Sequence, residues 1–341
     1  MRNSKELLYG ILFFAFHLCI EVVSYMLLYL RFGTYVSAYI ILIYDFFAFV
    51  PQAIFGEIHN KNKNLNLGYL AIIFFSLSIP MIYSDNQIIY VLAILLISFA
   101  NAIMHECGAI AVATVSKEKI FPSALFVSGG TIGIVIGRYF ATLRVPIDYL
   151  FIFIVLMLFI LTLTDKTWCN ENAKYIDVNV VNNNYSSQIV FIVAFFVLVV
   201  RSFMGFVLPM AWKENFTHII LLSLFLGIGK AWGGYLCDTI GYRKVAFIST
   251  IVCVPFIIFG NHFMILSLVG IMLFSMTMSI TYAMLLSIIK NNPGVAFGIT
   301  TIGLFVGAVP LFFTSFSAVL NTIIIVVMSI VSFLLLDITL K

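Results

Sequence analysis

The chain alternates long apolar runs with short polar connections from one end to the other. An α-helix needs about 20 consecutive, mainly apolar residues to cross a bilayer, and each of these runs approaches or exceeds that length. The pattern predicts twelve membrane-spanning helices, at residues 7–30, 34–55, 67–83, 87–115, 122–143, 147–164, 187–209, 217–237, 245–260, 262–289, 294–313 and 318–336. The connections are too short for a separate soluble domain, so we predict an all-α membrane protein.

Composition agrees with a membrane protein and excludes a soluble one. Of the 341 residues, 63% are hydrophobic and 9% are charged, whereas soluble domains carry about 25% charged residues. The net charge of +4 does not indicate nucleic acid, because membrane proteins collect Lys and Arg on their cytoplasmic side. The predicted partner is therefore the lipid bilayer and not nucleic acid.

The distribution of Lys and Arg predicts the orientation. With the N-terminus in the cytoplasm, twelve of the 18 basic side chains fall in cytoplasmic segments and three on the opposite side. The remaining three, Arg138, Arg201 and Lys230, lie inside spans. Because short loops rich in Lys and Arg stay in the cytoplasm, we expect both termini there. The short loops also favour a multi-pass protein of a prokaryotic inner membrane.

The longest connection divides the spans into two groups of six. It covers residues 165–186, is rich in Asn, and is typical of a flexible linker. We predict an N-terminal six-helix bundle at 1–164, a cytoplasmic linker at 165–186 and a C-terminal six-helix bundle at 187–341. The expected protein is a monomer.

Equivalent features recur in the two groups. The sequence TIGxxxG stands at residues 131–137 of the fifth span and at 301–307 of the eleventh, and an offset of 185 residues places Gly56 against Gly241. Two pairs of charges are also equivalent, Glu21 with Arg201 and Asp45 with Lys230. Small residues four apart favour close helix packing, so independent packing motifs are the alternative. The agreement favours a duplicated six-helix unit, the organisation of many secondary transporters.

The connection after the eighth span carries the most specific motif. Residues 234–244 read GYLCDTIGYRK, which resembles the GxxxDxxGxRK signature of the major facilitator superfamily. The resemblance implies two six-helix bundles around a central cavity, with a conformational latch formed by Gly234, Asp238, Gly241, Arg243 and Lys244. The first-half copy has Ala53 in place of the acid. Residues 101–108 are also similar to the fourth helix of the fosmidomycin-resistance branch.

Ionisable side chains inside the spans are the candidate binding groups. They are Glu21, Asp45, Glu106, Arg138, Arg201 and Lys230, with His17 and His105. Each charge at the bilayer centre costs about 2.5–3.5 kcal/mol, so these groups must meet one another, water or a ligand. Structural pairs such as Glu21 with Arg138, or Asp45 with Lys230, are one interpretation.

The other interpretation is substrate and ion binding. His17 and Glu21 lie one helical turn apart and could carry a proton, while Arg201 with Lys230 could hold an anion. The family resemblance places Glu21, His105 and Arg201 on helices that line the central cavity. We therefore predict a secondary transporter of a small polar solute, expected to be anionic, that works by alternating access with proton coupling.

Efflux, a sensor or scaffold, and an enzyme are the three alternatives to a secondary transporter of a polar solute. Proton-antiport efflux of drugs or toxic compounds fits the same fold, and the direction of transport stays open. A non-transporting sensor or scaffold could use it as well. An enzyme is not expected, because Ala109 replaces the second histidine of an HExxH motif that would begin at His105, and no GxSxG occurs. No metal site or cofactor is predicted.

Overall fold

The computed structural model describes residues 2–33 and 38–341, with side chains from Lys5 onward. Its membrane-spanning helices, named here α1 to α12, are Arg2–Phe32, Ala38–Lys61, Leu67–Met81, Gln87–Val115, Phe121–Thr142, Ile147–Trp168, Ser187–Val207, Phe216–Ile240, Tyr242–Phe259, Met264–Ile288, Pro293–Phe312 and Ala318–Thr339. All except α3 are long and apolar enough to cross a membrane, and α3 has 15 residues. The predicted all-α fold with twelve helices is confirmed. The predicted start of the second span, Thr34, lies outside the described residues.

Several helices extend beyond their apolar runs. The second span was expected to end at residue 55, but α2 continues to Lys61, and α6 continues past residue 164 to Trp168. The extra turns carry polar side chains, such as His59, whose Nδ1 lies 3.0 Å from the carbonyl oxygen of Leu65. Hydropathy marks where the chain leaves the hydrocarbon region, and a helix can continue into the interface beyond it.

Helix α2 is interrupted at Pro51, which has no amide hydrogen to donate to the preceding turn. Two carbonyl groups near the break find other donors. The side-chain amide of Gln52 donates to Ala48 at 2.7 Å, and the hydroxyl of Thr301 on α11 donates to Phe49 at 3.1 Å. The break therefore joins α2 to the other half of the molecule.

The helices pair in the same way in both halves. Helix α1 packs on α4, α5 and α6, and α7 packs on α10, α11 and α12. Contacts between the halves run mainly through α2 with α11 and through α5 with α8. The contacts of α1 become those of α7 when six is added to each helix number. The contact of α2 with α11 corresponds in the same way to that of α8 with α5. The fold is thus two equivalent six-helix bundles.

The TIGxxxG sequences occupy equivalent places in this arrangement. The hydroxyl of Thr131 on α5 donates to the carbonyl of Ser223 on α8 at 3.2 Å, which matches the bond from Thr301 on α11 to α2. A Cβ added to Gly133 would lie 2.8 Å from the Cβ of Glu21. On the equivalent helix, a Cβ added to Gly303 would lie 3.0 Å from that of Leu198. Each motif packs the fifth helix of its half tightly on the first.

One side of the bundle, which we call the terminal face, carries the start of α1 and the end of α12. The segment between α6 and α7 is bound to this face rather than loose. The amide of Ile176 donates to the carbonyl of Ala113 at 2.8 Å, and that of Lys341 donates to Val180 at 3.0 Å. Ile176, Val178 and Val180 are buried. These buried residues alternate with polar ones along the segment. The Asn-rich composition suggested a flexible linker and hid this alternation, which indicates a bound, extended segment.

The distribution of Lys and Arg predicts that the terminal face lies in the cytoplasm, and this prediction can be tested. A reporter that is active only in the periplasm should be silent when fused after Lys341. The same reporter inserted at Asn261 should be active, because Asn261 accepts the amide of Ala211 at 3.0 Å where two opposite-face connections meet. The reverse pattern of activity would invert the topology.

Candidate functional site

Three titratable side chains meet inside the N-terminal half, and we call them the His–Glu–His cluster. His17 and Glu21 lie one turn apart on α1, and His105 projects from α4 toward them. The Nε2 atoms of His17 and His105 are 2.7 Å apart. Glu21 Oε1 lies 3.3 Å from His105 Nε2 and 3.7 Å from His17 Nε2. All three side chains are buried. The cluster brings His105 into contact with residues that lie 84 and 88 positions away in the sequence.

The other ring nitrogens of the cluster face backbone carbonyls. His17 Nδ1 lies 3.0 Å from the carbonyl oxygen of Phe126, and His105 Nδ1 lies 2.9 Å from that of Asn101. A carbonyl oxygen only accepts, so both Nδ1 atoms must carry hydrogen. Each Nε2 therefore holds the titratable or metal-binding position of its ring.

Asn101 on α4 anchors the carboxylate side of the cluster. Its side-chain nitrogen lies 3.4 Å from Glu21 Oε1, 3.2 Å from the hydroxyl of Ser24 and 2.8 Å from that of Tyr44. Its side-chain oxygen is buried without a hydrogen-bond partner. Tyr44 was not singled out from the sequence, and its position beside Asp45 gave the only hint.

The His17 ring fits because Gly130 on α5 has no side chain. A Cβ added to Gly130 would lie 2.6 Å from His17 Cε1, closer than a Cβ can approach another atom. Phe126, one turn earlier on α5, packs on the same imidazole with ring centres 4.9 Å apart. Helix α5 thus packs directly on the His17 ring.

A separate cavity of about 370 Å³ lies mainly in the C-terminal half. Its walls come from α7, α8, α10 and α11, with one residue of α5, and comprise Thr131, Leu198, Arg201, Ser202, Gly205, Phe206, Leu226, Lys230, Phe274, Ser275, Thr277, Met278, Thr281 and Leu304. This lining contains two cations, Arg201 and Lys230, and no carboxylate. The structure therefore brings together the two basic side chains that the sequence suggested for an anion.

Arg201 is buried and stacks on an aromatic wall of the cavity. Its guanidinium carbon lies 2.8 Å from the ring centre of Phe274. The Nη1 atom has no hydrogen-bond partner. A cation held on a ring face is attracted by the ring quadrupole, yet Nη1 keeps its hydrogen atoms available for another acceptor. Phe274 is a cavity residue that the sequence analysis did not identify, because its role depends on the crossing of α7 and α10.

Asp45 and Arg138 lie outside both sites. Among the described residues, no ion pair joins Asp45 to Lys230 or Arg138 to Glu21. Both Asp45 and Arg138 are half-buried, and the Arg138 guanidinium lies 4.9 Å from the ring centre of Tyr29. The structural pairs considered from the sequence are therefore absent from this conformation.

Glu106 neighbours His105 in sequence but points away from the cluster. It is 1% exposed, and both carboxyl oxygens lack a hydrogen-bond partner. A Cβ added to Gly294, at the start of α11, would lie 2.7 Å from Glu106 Oε2. Glu106 thus lies where α4 meets α11 of the other half.

The motif at residues 234–244 connects the two halves at the terminal face. Asp238, near the end of α8, accepts the amides of Ile120 and Phe121 at 3.0 and 2.9 Å. These amides are at the start of α5, where a helix favours a negative charge. Gly234 packs against Ala124 of the same helix. Asp238 and Gly234 therefore join α8 to the N-terminal end of α5 in the other half.

The rest of the motif turns and anchors the chain. Gly241 has a φ of 92°, which favours glycine and lets α9 start directly after α8. Arg243 donates from Nη2 and Nε to Asp337 on α12 at 2.7 and 2.9 Å. Lys244 is exposed, as expected of a residue at the membrane interface.

The equivalent contact between α2 and α11 has no acid. Ala53 stands where Asp238 stands in the other half, and it packs backbone to backbone on Gly298. A Cβ added to Gly56 would lie 2.5 Å from the carbonyl carbon of Gly294. The polar link here is Asn292, which donates to Glu57 at 2.8 Å. The two inter-half contacts are therefore equivalent in position and different in chemistry.

Replacing Asp238 by asparagine should slow the interconversion of the two open states. The substitution keeps an acceptor but removes the negative charge that the α5 N-terminus favours. Solute affinity should stay within about threefold, because Asp238 does not line the cavity and acts on a conformational step. Distances between spin labels on the two halves would report the states. Asp148→Asn, on an exposed opposite-face residue, is the control, and lost binding with unchanged state populations would contradict the latch role.

Comparison with known proteins adds structural similarity to these observations. No family profile and no curated protein sequence match the chain. The structure of FucP, a major facilitator superfamily transporter in the outward conformation, has a TM-score of 0.66 and 12% identity, covering 96% of this chain and 97% of that chain. Another structure, of the E. coli fucose:proton symporter FucP, gives 0.66 and 13%, with 98% of each chain covered.

The human organic anion transporter MFSD10 gives a TM-score of 0.69 and 12% identity, covering 97% of this chain and 99% of that chain. At such low identity the similarity shows the fold. The neighbours are transporters, in agreement with the prediction that the chain is not an enzyme. Similarity to the fosmidomycin-resistance branch stays a prediction.

Proposed function

We propose that this chain, which has the fold of the major facilitator superfamily, is a secondary active transporter. Transporters built from two repeats bind their solute near the bilayer midplane and expose it to each side in turn. The contacts at α2–α11 and α5–α8 would break and re-form in that cycle. Because one fold serves many functions, the proposal depends on what the cavity contains.

The solute that we assign is small, polar and anionic. The observation that carries this assignment is the presence of Arg201 and Lys230 on one cavity whose described lining has no carboxylate. Cations inside a membrane are costly, and neither of these forms an ion pair with a described residue. An anionic ligand would supply the missing charge. A volume of about 370 Å³ suits a metabolite, since ligand pockets span about 300–1,000 Å³.

The coupling ion that we assign is the proton, held by the His–Glu–His cluster. No lysine or arginine forms an ion pair with Glu21 among the described residues, so the imidazoles are the basic groups in direct contact with it. A histidine takes up and releases protons near neutral pH. One of the structural neighbours is a fucose:proton symporter, so the fold is compatible with proton coupling.

The remaining parts of the proposal concern placement. The protein would work as a monomer in a prokaryotic inner membrane, with the terminal face in the cytoplasm. The contacts of Asp238 and of Gly56 would then close the cytoplasmic side. No bound cofactor is invoked.

Efflux of a toxic amphipathic compound by proton antiport is the second candidate. The observation that favours it is the apolar part of the cavity wall, which includes Leu198, Phe206, Phe274 and Met278. Such a wall suits the apolar body of a drug-like molecule with an anionic group on Arg201.

A thermal-shift screen of the purified protein against anionic metabolites and drugs tests the assignment. Ligands that raise the melting temperature would next be tested for uptake into proteoliposomes with an imposed pH gradient. Accumulation of an anionic metabolite would support the main proposal. Stabilisation by drugs alone, with movement against their gradient, would replace it by efflux. Binding without transport in either direction would favour a sensor or scaffold.

A further inference from the structure

We propose that His17, Glu21 and His105 form a binding site for one divalent first-row transition-metal ion. The proposal rests on the arrangement of these side chains and goes beyond the transport proposal, because metal binding can be measured without transport. The sequence did not predict it, since His105 is 84 residues from Glu21 and no metal-ligand spacing links the two.

The three donor atoms lie at the right separation for a common ligand. Two Nε2 atoms and Glu21 Oε1 form a triangle with sides of 2.7, 3.3 and 3.7 Å. The corners of such a triangle are about 1.9 Å from one shared point, and zinc binds imidazole nitrogen and carboxylate oxygen at about 2.0–2.2 Å. An ion slightly out of the triangle's plane would reach all three atoms without movement of a helix.

The two imidazole rings also point in a suitable direction. Rings joined head-on by an N–H···N bond of this length would have centres about 5 Å apart, because each nitrogen lies about 1.2 Å from its ring centre. The observed ring centres are 4.3 Å apart. The contact between the two Nε2 atoms is therefore bent rather than head-on, which leaves space for an ion beside the line that joins them. At metal–ligand distances of about 2.1 Å, the three sides of the triangle subtend angles of roughly 80°, 105° and 125° at the ion, so the site would be irregular rather than octahedral.

The surroundings of the cluster orient the donors as they do in metal sites. Metal-binding histidines usually donate their second N–H to a carbonyl or a carboxylate. Here both Nδ1 atoms face the carbonyl oxygens of Phe126 and Asn101, which leaves both Nε2 lone pairs for a cation. The side-chain nitrogen of Asn101 lies 3.4 Å from the Glu21 carboxylate. Each of the three ligands therefore has an outer partner.

The donor set selects the class of metal. Two imidazoles and one carboxylate on one side of an ion suit iron, cobalt, nickel or zinc, whereas Mg²⁺ and Ca²⁺ prefer oxygen ligands. The unpartnered side-chain oxygen of Asn101 and the hydroxyls of Ser24 and Tyr44 supply polar groups for metal-bound water. A metal ion and a proton would use the same nitrogen lone pairs, so the ion would exclude the proton from the cluster.

Equilibrium binding to the purified, tag-free full chain tests the site with Co²⁺ and Zn²⁺ as probes. We expect one ion per chain, with a Co²⁺ visible spectrum of nitrogen and oxygen coordination. His17→Gln, His105→Gln and Glu21→Gln should each weaken binding at least tenfold. The matched controls are His262→Gln and Glu214→Gln, which change exposed residues and should bind as the wild type does.

One further variant leaves all three ligands in place. Gly130→Ala would push the His17 ring out of position, and it should weaken Co²⁺ binding while the protein still elutes as a single folded species. Absence of wild-type binding at micromolar metal would overturn the proposal. So would a thiolate charge-transfer band, which would place the ion on one of the five cysteines, or equal binding by the cluster variants and the controls.

Discussion

Replacing Arg201 by alanine is expected to weaken solute binding by roughly ten- to a hundredfold, the loss that follows from removing one charge-assisted hydrogen bond of about 1.5–3 kcal/mol. Arg201 is the buried cation of the cavity, and its Nη1 is free of described partners. An anion placed there would gain a bond that water cannot replace in so apolar a site. Titration calorimetry with a hit from the thermal-shift screen would measure the change.

Two further variants separate the role of charge from that of shape. Arg201→Lys keeps the charge but loses the planar fork, so its affinity should fall between those of the wild type and Arg201→Ala. Arg31→Ala is the matched control, because Arg31 also stacks on an aromatic ring, 4.9 Å from the centre of Tyr90, but lies outside the cavity. Unchanged affinity in a folded Arg201→Ala protein would remove the anion from the proposal.

The helices and their duplication could be predicted because both leave strong local signals. Uninterrupted apolar runs indicate the spans. The TIGxxxG repeat predicted that α5 and α11 occupy equivalent places, and the hydrogen bonds of Thr131 and Thr301 between the halves confirm it. The ends of α2 and α6 were missed, since polar side chains at a helix end remove the hydropathy signal while the backbone continues.

The same duplication explains why Asp45 and Lys230, one of the structural pairs considered from the sequence, do not form an ion pair. Residues at equivalent positions of two repeats lie in different halves, and they touch only if they are near the axis that relates the halves. Lys230 on α8 lines the cavity, whereas Asp45 on α2 does not. The sequence offset therefore predicted that Asp45 and Lys230 occupy equivalent positions in the two halves. It did not predict that they touch.

The His–Glu–His cluster could be predicted in part. The spacing of His17 and Glu21 places them on one helical face, and this pair is confirmed as a contact. The approach of His105 depends on how α1 crosses α4 and on the space left by Gly130, neither of which is a local property. Glu106 shows how far local patterns can be used. It follows His105 directly on α4, yet its side chain points toward α11 and not into the cluster.

Replacing Glu21 by glutamine is expected to abolish solute accumulation driven by a pH gradient while leaving solute exchange between loaded compartments intact. Glutamine has nearly the same shape but cannot exchange a proton, so the cluster would lose its negative charge and the two imidazoles their counter-ion. Exchange needs only the movement of the loaded carrier, and the cavity of Arg201 and Lys230 is untouched by this substitution. Proteoliposomes with and without an imposed gradient would separate the two activities.

The assay is best run with a chelator, so that a metal ion on the cluster does not compete with the proton. Glu214→Gln, which alters an exposed carboxyl group, should accumulate solute as the wild type does. Coupling between proton and solute requires that binding at one site change affinity at the other by the same factor in both directions. Solute affinity should therefore depend on pH in the wild type and lose that dependence in Glu21→Gln.

Gradient-driven accumulation that persists at wild-type level in Glu21→Gln would remove Glu21 from the coupling role. The residue to test next would then be Glu106, a buried carboxyl group that lies where the two halves meet.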